Sequence, residues 1–246
     1  MSFDGRAFIV LGASGGIGSE LVRQLTAGGG RVLCCARESD RLSAIASEPG
    51  AAACAMDATD PKQVDAAVQQ ATERFGRLDG AANCVGSILL KPAHLTTDAE
   101  WDATIRLNLN TAFYLVRSAV KQMSGGGGSI VLVATAAARA GLANHEAIAA
   151  AKGGVMGLTL AAAATYASRQ VRVNCVAPGL VETPLAERIT SRESARAASL
   201  AMHALGRLGT GADVASAIAW FLDPAQSWVT GQTLGVDGGL GSIRPR

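Results

Sequence analysis

The sequence is poor in aromatic residues. Phe, Trp and Tyr make up 4% of its 246 positions, which leaves little for stacking on bases or sugars. It also lacks a charge imbalance: 22 Lys and Arg face 20 Asp and Glu, for a net charge of +2. No nucleic-acid footprint is expected, because that needs cations clustered on one face. Charged residues are few (17%) against 49% apolar residues, which excludes a largely disordered chain. The 29 glycines show no three-residue period, so a collagen-like repeat is excluded. Zinc-type spacing is absent from the cysteines. Cys34, Cys35, Cys54, Cys84 and Cys175 are odd in number and lie in or beside apolar runs, the pattern of reduced buried thiols in a cytoplasmic protein with no metal site. Missing too is an unbroken run of about 18 apolar residues. The nearest, from Ala147 to Ala167, is interrupted by Lys152, by glycines and by Tyr166, so no membrane span is expected. The opening Met1-Ser2-Phe3-Asp4-Gly5-Arg6 runs straight into a strand, and no signal peptide is expected.

What is present is an alternation. Short β-rich runs (7–11, 32–35, 51–56, 78–85, 129–133, 171–177 and 233–236) are separated by Ala/Leu-rich stretches with helical spacing. Those stretches are 16–27, 41–46, 64–75 with Pro61 in the first turn, one long helix over 101–123, and another over 145–166. Short, fully apolar strands alternating with helices predict a parallel sheet covered on both faces. The length fits a single domain over 1–246. The segment from Leu180 to Leu208 is polar and the least regular. Long irregular segments in compact domains are often lids or binding loops, and a substrate lid is expected around 184–208.

The strongest local signal is Gly12-Ala13-Ser14-Gly15-Gly16-Ile17-Gly18, placed after the first strand and opening the first helix. Glycines let the backbone approach a pyrophosphate. The helix N-terminus adds free N–H groups and partial positive charge. Gly12, Ser14, Gly15, Gly16, Ile17 and Gly18 are therefore candidate cofactor-binding residues.

In the order of its motifs the chain resembles the short-chain dehydrogenase/reductase family over essentially its whole length. The family's glycine pattern matches Gly12, Gly16 and Gly18, and its acid after the third strand matches Asp57. Its Asn-Asn-Ala-Gly stretch appears as Asn83-Cys84-Val85-Gly86, with only the ends kept. Its mid-helix Asn matches Asn108, its Pro-Gly matches Pro178-Gly179, and Thr183 stands where relatives hold the nicotinamide carboxamide. The closing Gly231-to-Gly239 run resembles the family's last strand. The resemblance implies a Rossmann-type doubly wound sheet of about seven strands with helices on both faces. It further implies a nicotinamide cofactor and a small carbonyl or alcohol substrate. Relatives pack this chain's two long helices into four-helix interfaces, so a homotetramer or homodimer is expected; the small-sided helix over 145–166 would also allow that close approach.

Two departures bear on chemistry. At the end of the second strand, where an acid would hold a ribose 2′-hydroxyl, the chain has Ala36 and then Arg37. A guanidinium forms two bonds to a phosphate and is always charged, so NADP(H) is expected over NAD(H), although the glycine turn carries no second cation.

The other departure is a missing acid. The family's Ser, Tyr and Lys correspond to Thr135, Ile148 and Lys152. Ile has no proton to give, and the only tyrosines, Tyr114 and Tyr166, lie elsewhere. General acid–base catalysis contributes about 10²–10⁴-fold, so slow or altered chemistry is expected. Three readings remain open. His145, about 10 Å up the helix axis from Lys152 and within roughly 20° of it, could substitute for the Tyr; equally, Asn144 could cap the helix and leave His145 facing water. Lys152 itself, or a water held by Asn108 and Thr135, could deliver the proton, with Arg139 either lining the pocket for an anionic substrate or standing as a surface charge. Lastly, the chain could bind a dinucleotide without turnover, as a sensor or partner subunit. Asn108, Thr135, Lys152 and His145 are the candidate catalytic residues, and the resemblance makes Lys152 a candidate cofactor-binding residue as well, since the family's Lys binds the nicotinamide ribose.

Overall fold

The computed structural model describes residues 1–123 and 125–243. The last three positions of the expected 1–246 domain lie outside the described residues. β1 (Ala7–Leu11), β2 (Arg31–Ala36), β3 (Ala51–Ala55), β4 (Gly80–Asn83), β5 (Gly128–Val133), β6 (Val171–Pro178) and β9 (Thr233–Val236) form one parallel sheet in the order β3-β2-β1-β4-β5-β6-β9. A pair of two-residue strands, β7 (Val181–Glu182) and β8 (Gly209–Thr210), stands apart. The expected seven-strand doubly wound sheet is present.

Helices cover both faces, and the strand sequences show why. In β1 every residue is buried. Ile9 and Leu11 point to the layer of α3 (Pro61–Phe75), α5 (Thr111–Gln122) and α6 (Glu146–Tyr166), while Phe8 and Val10 point to the layer of α1 (Gly16–Ala27) and α9 (Gly211–Leu222). Alternate side chains of a strand face opposite ways, so a strand covered on both sides must be apolar throughout. α2 (Asp40–Ala46) completes the second layer through Leu42 and Ile45. α3 starts on an Asp60 cap, with Pro61 in its first turn, and stops at Gly76 in the left-handed region, φ 74°.

The winding reverses between β1 and β4, where the crossovers leave in opposite directions. In such sheets the crevice at the carboxyl ends of the strands beside that reversal is where ligands bind.

Two expectations need correction, and a third feature bears on the expected absence of a membrane span. The long helix expected over 101–123 is two helices, α4 (Asp98–Ile105) and α5, joined by a π-turn at Arg106–Asn110. Apolar spacing does not register one extra residue per turn, and π-turns in helices are frequent at functional sites. The region after β6 is also more regular than its polarity implied. It holds α7 (Glu187–Thr190) and α8 (Glu193–Met202), whose side chains include no fully buried residue. With no fully buried side chain, neither helix needs the apolar stripe by which an amphipathic helix is read from sequence. Finally, α6 with its 3₁₀ extension, Glu146–Arg169, is long and apolar enough to cross a membrane by length and composition. In the fold it is a core helix: Ala147, Ile148, Ala151, Val155, Ala162 and Ala163 are buried, and it packs against β6.

Candidate active site

The glycine turn forms the floor of the crevice. Gly12 has φ 77° and a β-carbon there would lie 2.9 Å from the Cys84 carbonyl carbon and the Val85 nitrogen. One at Gly18 would collide with the Gly12 carbonyl oxygen. So β1, the turn after β4 and the start of α1 approach as closely as backbones can, and only glycine allows it. Gly15 N–H donates to Gly12 O at 3.0 Å, and Ser19 N–H is the first to bond back, to Gly15 O at 2.9 Å. The N–H groups of Gly16, Ile17 and Gly18 are left for an acceptor at the helix N-terminus. Across the crevice the Thr183 methyl presses on Gly16, where a β-carbon would sit 2.6 Å from it. This cradle fits a dinucleotide pyrophosphate.

At the far end of β2, Arg37 is exposed and has no hydrogen-bond or ion-pair partner among the described residues. Asp57 is exposed, and its Oδ1 accepts from the N–H and hydroxyl of Thr59 at 2.8 and 2.9 Å, which leaves Oδ2. Asn83 is spent on the scaffold: its Nδ2 donates to Thr111 Oγ1 at 3.0 Å and its Oδ1 accepts Val85 N–H at 3.0 Å. It shapes the turn that ends in Gly86.

Gly86 brings the chemical residues together. A β-carbon on it would be 3.0 Å from Asn108 Oδ1 and 3.4 Å from Lys152 Nζ. Asn108 lies in the π-turn and is fully buried. Its carboxamide is locked: Ser87 N–H donates to Oδ1 at 3.1 Å, and Nδ2 donates to Ser87 Oγ and to Thr104 O, both at 2.9 Å. Lys152 is 6% exposed and gives one hydrogen bond, to Val133 O at 2.8 Å. Burial lowers its pKa from 10.5 to about 8, while the Cys175 and Cys84 thiols pull the other way. Those thiols are themselves pushed up by burial, to about 11 and about 12. They are therefore neutral near pH 7, and burial governs the ammonium. Two of its three protons find no acceptor among the described residues.

One turn before Lys152 on the same face is Ile148, 5% exposed. Thr135 caps the 3₁₀ turn Ala136–Ala138 by accepting Ala137 N–H at 3.3 Å, so its own hydroxyl proton remains available. His145 stands just before α6 as its N-cap, with no side-chain cap bond. Its Nδ1 donates to Ala143 O at 2.7 Å; a carbonyl can only accept, so Nδ1 carries the proton in the neutral ring and Nε2 is the free atom. The alternative expectation, that Asn144 caps the helix, is not met: Asn144 has φ 65° and lies outside it. No hydrogen bond joins His145 to Lys152, Thr135 or Asn108 among the described residues.

The segment after β6 closes the far wall. Gly179 N–H donates to Val236 O at 3.2 Å, holding Pro178-Gly179 to β9. His203, at the end of α8, is buried with both ring nitrogens used: Nδ1 donates to Ser199 O at 2.7 Å and Nε2 accepts Leu180 N–H at 3.1 Å. It ties the α7–α8 segment to the strand end that carries Pro178-Gly179. Ser87 and His203 belong to no expected motif. Only their place beside Gly86 and Leu180 marks them, and that is visible only in three dimensions.

A family profile described as Enoyl-(Acyl carrier protein) reductase matches residues 12–241. The chain belongs to the short-chain dehydrogenase/reductase family. It is 32% identical over 243 residues to the 3-oxoacyl-(acyl-carrier-protein) reductase of Salmonella typhimurium, covering 98% of this chain and 99% of that one. It is 35% identical over 248 residues, with 98% and 99% covered, to cis-4-hydroxycyclohexanecarboxylate dehydrogenase of Sinomonas cyclohexanicum. Among solved structures, a short-chain type dehydrogenase/reductase from Mycobacterium ulcerans superposes with a TM-score of 0.94 at 32% identity, covering 100% of this chain and 93% of that one. An actinorhodin polyketide ketoreductase with NADPH gives 0.91 at 29% identity, with 99% and 100% covered. As a short-chain dehydrogenase/reductase, the protein is an NAD(P)-dependent oxidoreductase.

Proposed function

We propose that this protein interconverts a carbonyl and an alcohol with NADP(H) in preference to NAD(H), and that Lys152 replaces the missing tyrosine as the proton donor. The observation that carries this reading is Lys152 itself: buried, with two unpartnered protons and a pKa near 8, one helical turn from Ile148. A general acid works best with a pKa close to the working pH. Arg37, exposed and unpaired at the end of β2, supports NADP(H), because its guanidinium matches a 2′-phosphate.

When bound, the nicotinamide supplies the hydride. The chain's own residues do the rest. Gly12 to Gly18 hold the pyrophosphate, Asp57 the adenine side, and Gly86, Pro178, Gly179 and Thr183 the nicotinamide side. The Thr135 hydroxyl donates to the substrate oxygen and polarises it. Lys152 holds the proton at Nζ that the oxygen takes in reduction and receives it back in oxidation. Asn108, locked by Ser87, keeps the π-turn in place behind Lys152. His145 Nε2, the unprotonated ring nitrogen, is a second group able to accept a proton. The name of the Sinomonas cyclohexanicum relative supports a hydroxy- or keto-bearing small molecule as substrate. Exposed apolar side chains on α5 and α6, Phe113 at 47% and Leu160 at 60%, support a homodimer or homotetramer.

The second reading, a dinucleotide-binding protein without turnover, rests on Ile148, which offers no proton. Fluorescence titration with NADPH, followed by a carbonyl panel monitored by cofactor oxidation, separates the two. Binding together with turnover is expected. Tight binding with no turnover on any carbonyl refutes the enzymatic reading.

A further inference from the structure

Arg139 is not absorbed by the mechanism above. It follows the 3₁₀ turn that begins at Thr135, and its N–H donates to Ala136 O at 2.9 Å. Its guanidinium reaches across to β9. A β-carbon on Gly235 would collide with Arg139 Nη1, so the group occupies space that a glycine leaves open. Gly235 pairs with Ala177, the residue before Pro178-Gly179. The guanidinium therefore lies at the carboxyl edge of the sheet, between the Thr135 turn and the strand end that faces the nicotinamide.

It has no hydrogen bond or ion pair among the described residues. A carboxylate close by, that of Asp237, places Oδ2 3.1 Å from the same β-carbon position. Asp237 is buried, and its two oxygens are taken by Gly239 N–H at 2.9 Å and Gly241 N–H at 3.1 Å. Arg139, an exposed side chain, thus presents its donors at the carboxyl edge of the sheet with no hydrogen-bond or ion-pair partner among the described residues, a fork that matches a carboxylate.

We infer that Arg139 is the specificity residue of the site and receives the carboxylate of a substrate that is a keto acid or hydroxy acid. The inference rests on the proposed function for the reacting carbonyl, but its binding part stands separately.

The test uses keto acids of four to eight carbons, including 4-oxopentanoate, each paired with its methyl ester, which has the same skeleton and no charge. Binding to the NADP⁺-loaded protein is measured by calorimetry, and turnover by NADPH consumption. At least one acid is expected to exceed its ester by about tenfold in affinity or kcat/KM, the ratio shrinking as salt is raised. Arg139→Gln should collapse that ratio. Gly235→Ala, which keeps the charge but displaces the guanidinium, should lower it too. Acids that bind in an Arg139-dependent way without turnover uphold the carboxylate site and refute the enzymatic reading. Esters used as well as acids, a ratio unchanged in Arg139→Gln, or no binding of any acid overturns the inference, and the first two of these leave the oxidoreductase standing.

Discussion

Lys152 gives the sharpest chemical prediction. With a pKa of about 8, about nine-tenths of the side chains are charged at pH 7 and about one-tenth at pH 9, since one unit is a factor of ten. If the ammonium gives the proton, kcat/KM for carbonyl reduction should be level below pH 8 and fall about tenfold per unit above it. Alcohol oxidation should rise to pH 8 and then level off. Lys152→Arg keeps a positive charge that does not titrate in this range, so the break near pH 8 should vanish and the rate drop by about 10²–10⁴-fold. A stability measurement gives an independent check. The folded-state pKa is depressed from 10.5, so between pH 8 and 10.5 the unfolded chain binds more protons at this site. Stability from this group should then rise with pH across that window, by on the order of 3 kcal/mol. Below pH 8 both states are charged and the slope ends. Lys152→Met should remove this slope in urea titrations. A reduction rate flat from pH 7 to 9.5, or a Lys152→Arg variant that keeps the wild-type profile, would refute the assignment.

Other outcomes follow from the same geometry. Ile148→Tyr restores the family's acid one turn from Lys152 and should raise ketone reduction, by less than the full factor of about 10²–10⁴ of general acid catalysis because Lys152 already supplies a proton; a failure to rise in a folded variant shows that the rest of the site is altered too. Arg37→Glu should reverse the preference between NADPH and NADH in fluorescence titrations, and an unchanged ratio removes Arg37 from the phosphate site. Gly18→Ala drives a methyl into the Gly12 carbonyl and should cost about 1–3 kcal/mol, seen as a Tm lower by roughly 2–12 °C. Asp213 accepts from Arg207 and from the Thr210 N–H and hydroxyl in a capping box, which holds its carboxyl well below the usual range. The stability it contributes is present above the ordinary Asp pKa and lost as pH falls below it. Asp213→Asn should cost about 1 kcal/mol at pH 7 and little in acid.

Much of this architecture can be read from the chain. β1, α1 and β9 appear where apolar runs and the glycine turn put them, because a strand buried on both faces must be continuously apolar and a helix meeting a pyrophosphate must start on glycines. The glycine turn is legible for the same reason: Gly12 and Gly18 answer backbone contacts and Gly16 answers the Thr183 side chain. The π-turn at Arg106–Asn110 is not legible, since an extra residue in a helical turn leaves the spacing of apolar positions almost intact. α7 and α8 were hidden by having no buried face. The Ser87 lock on Asn108, the His203 tie to Leu180 and the reach of Arg139 to Gly235 join residues 21, 23 and 96 positions apart, and no local pattern encodes them.

The most direct measurement is the melting temperature of the purified protein with saturating NADPH and with saturating NADH. A ligand at about one hundred times its Kd adds about 2.7 kcal/mol, or roughly 5–11 °C for a chain of this size. NADPH should raise the Tm by that amount and NADH by less. If neither nucleotide moves it, the crevice at the carboxyl ends of β1 and β4 does not hold a nicotinamide cofactor, and the roles given to Lys152 and Arg37 fall with it.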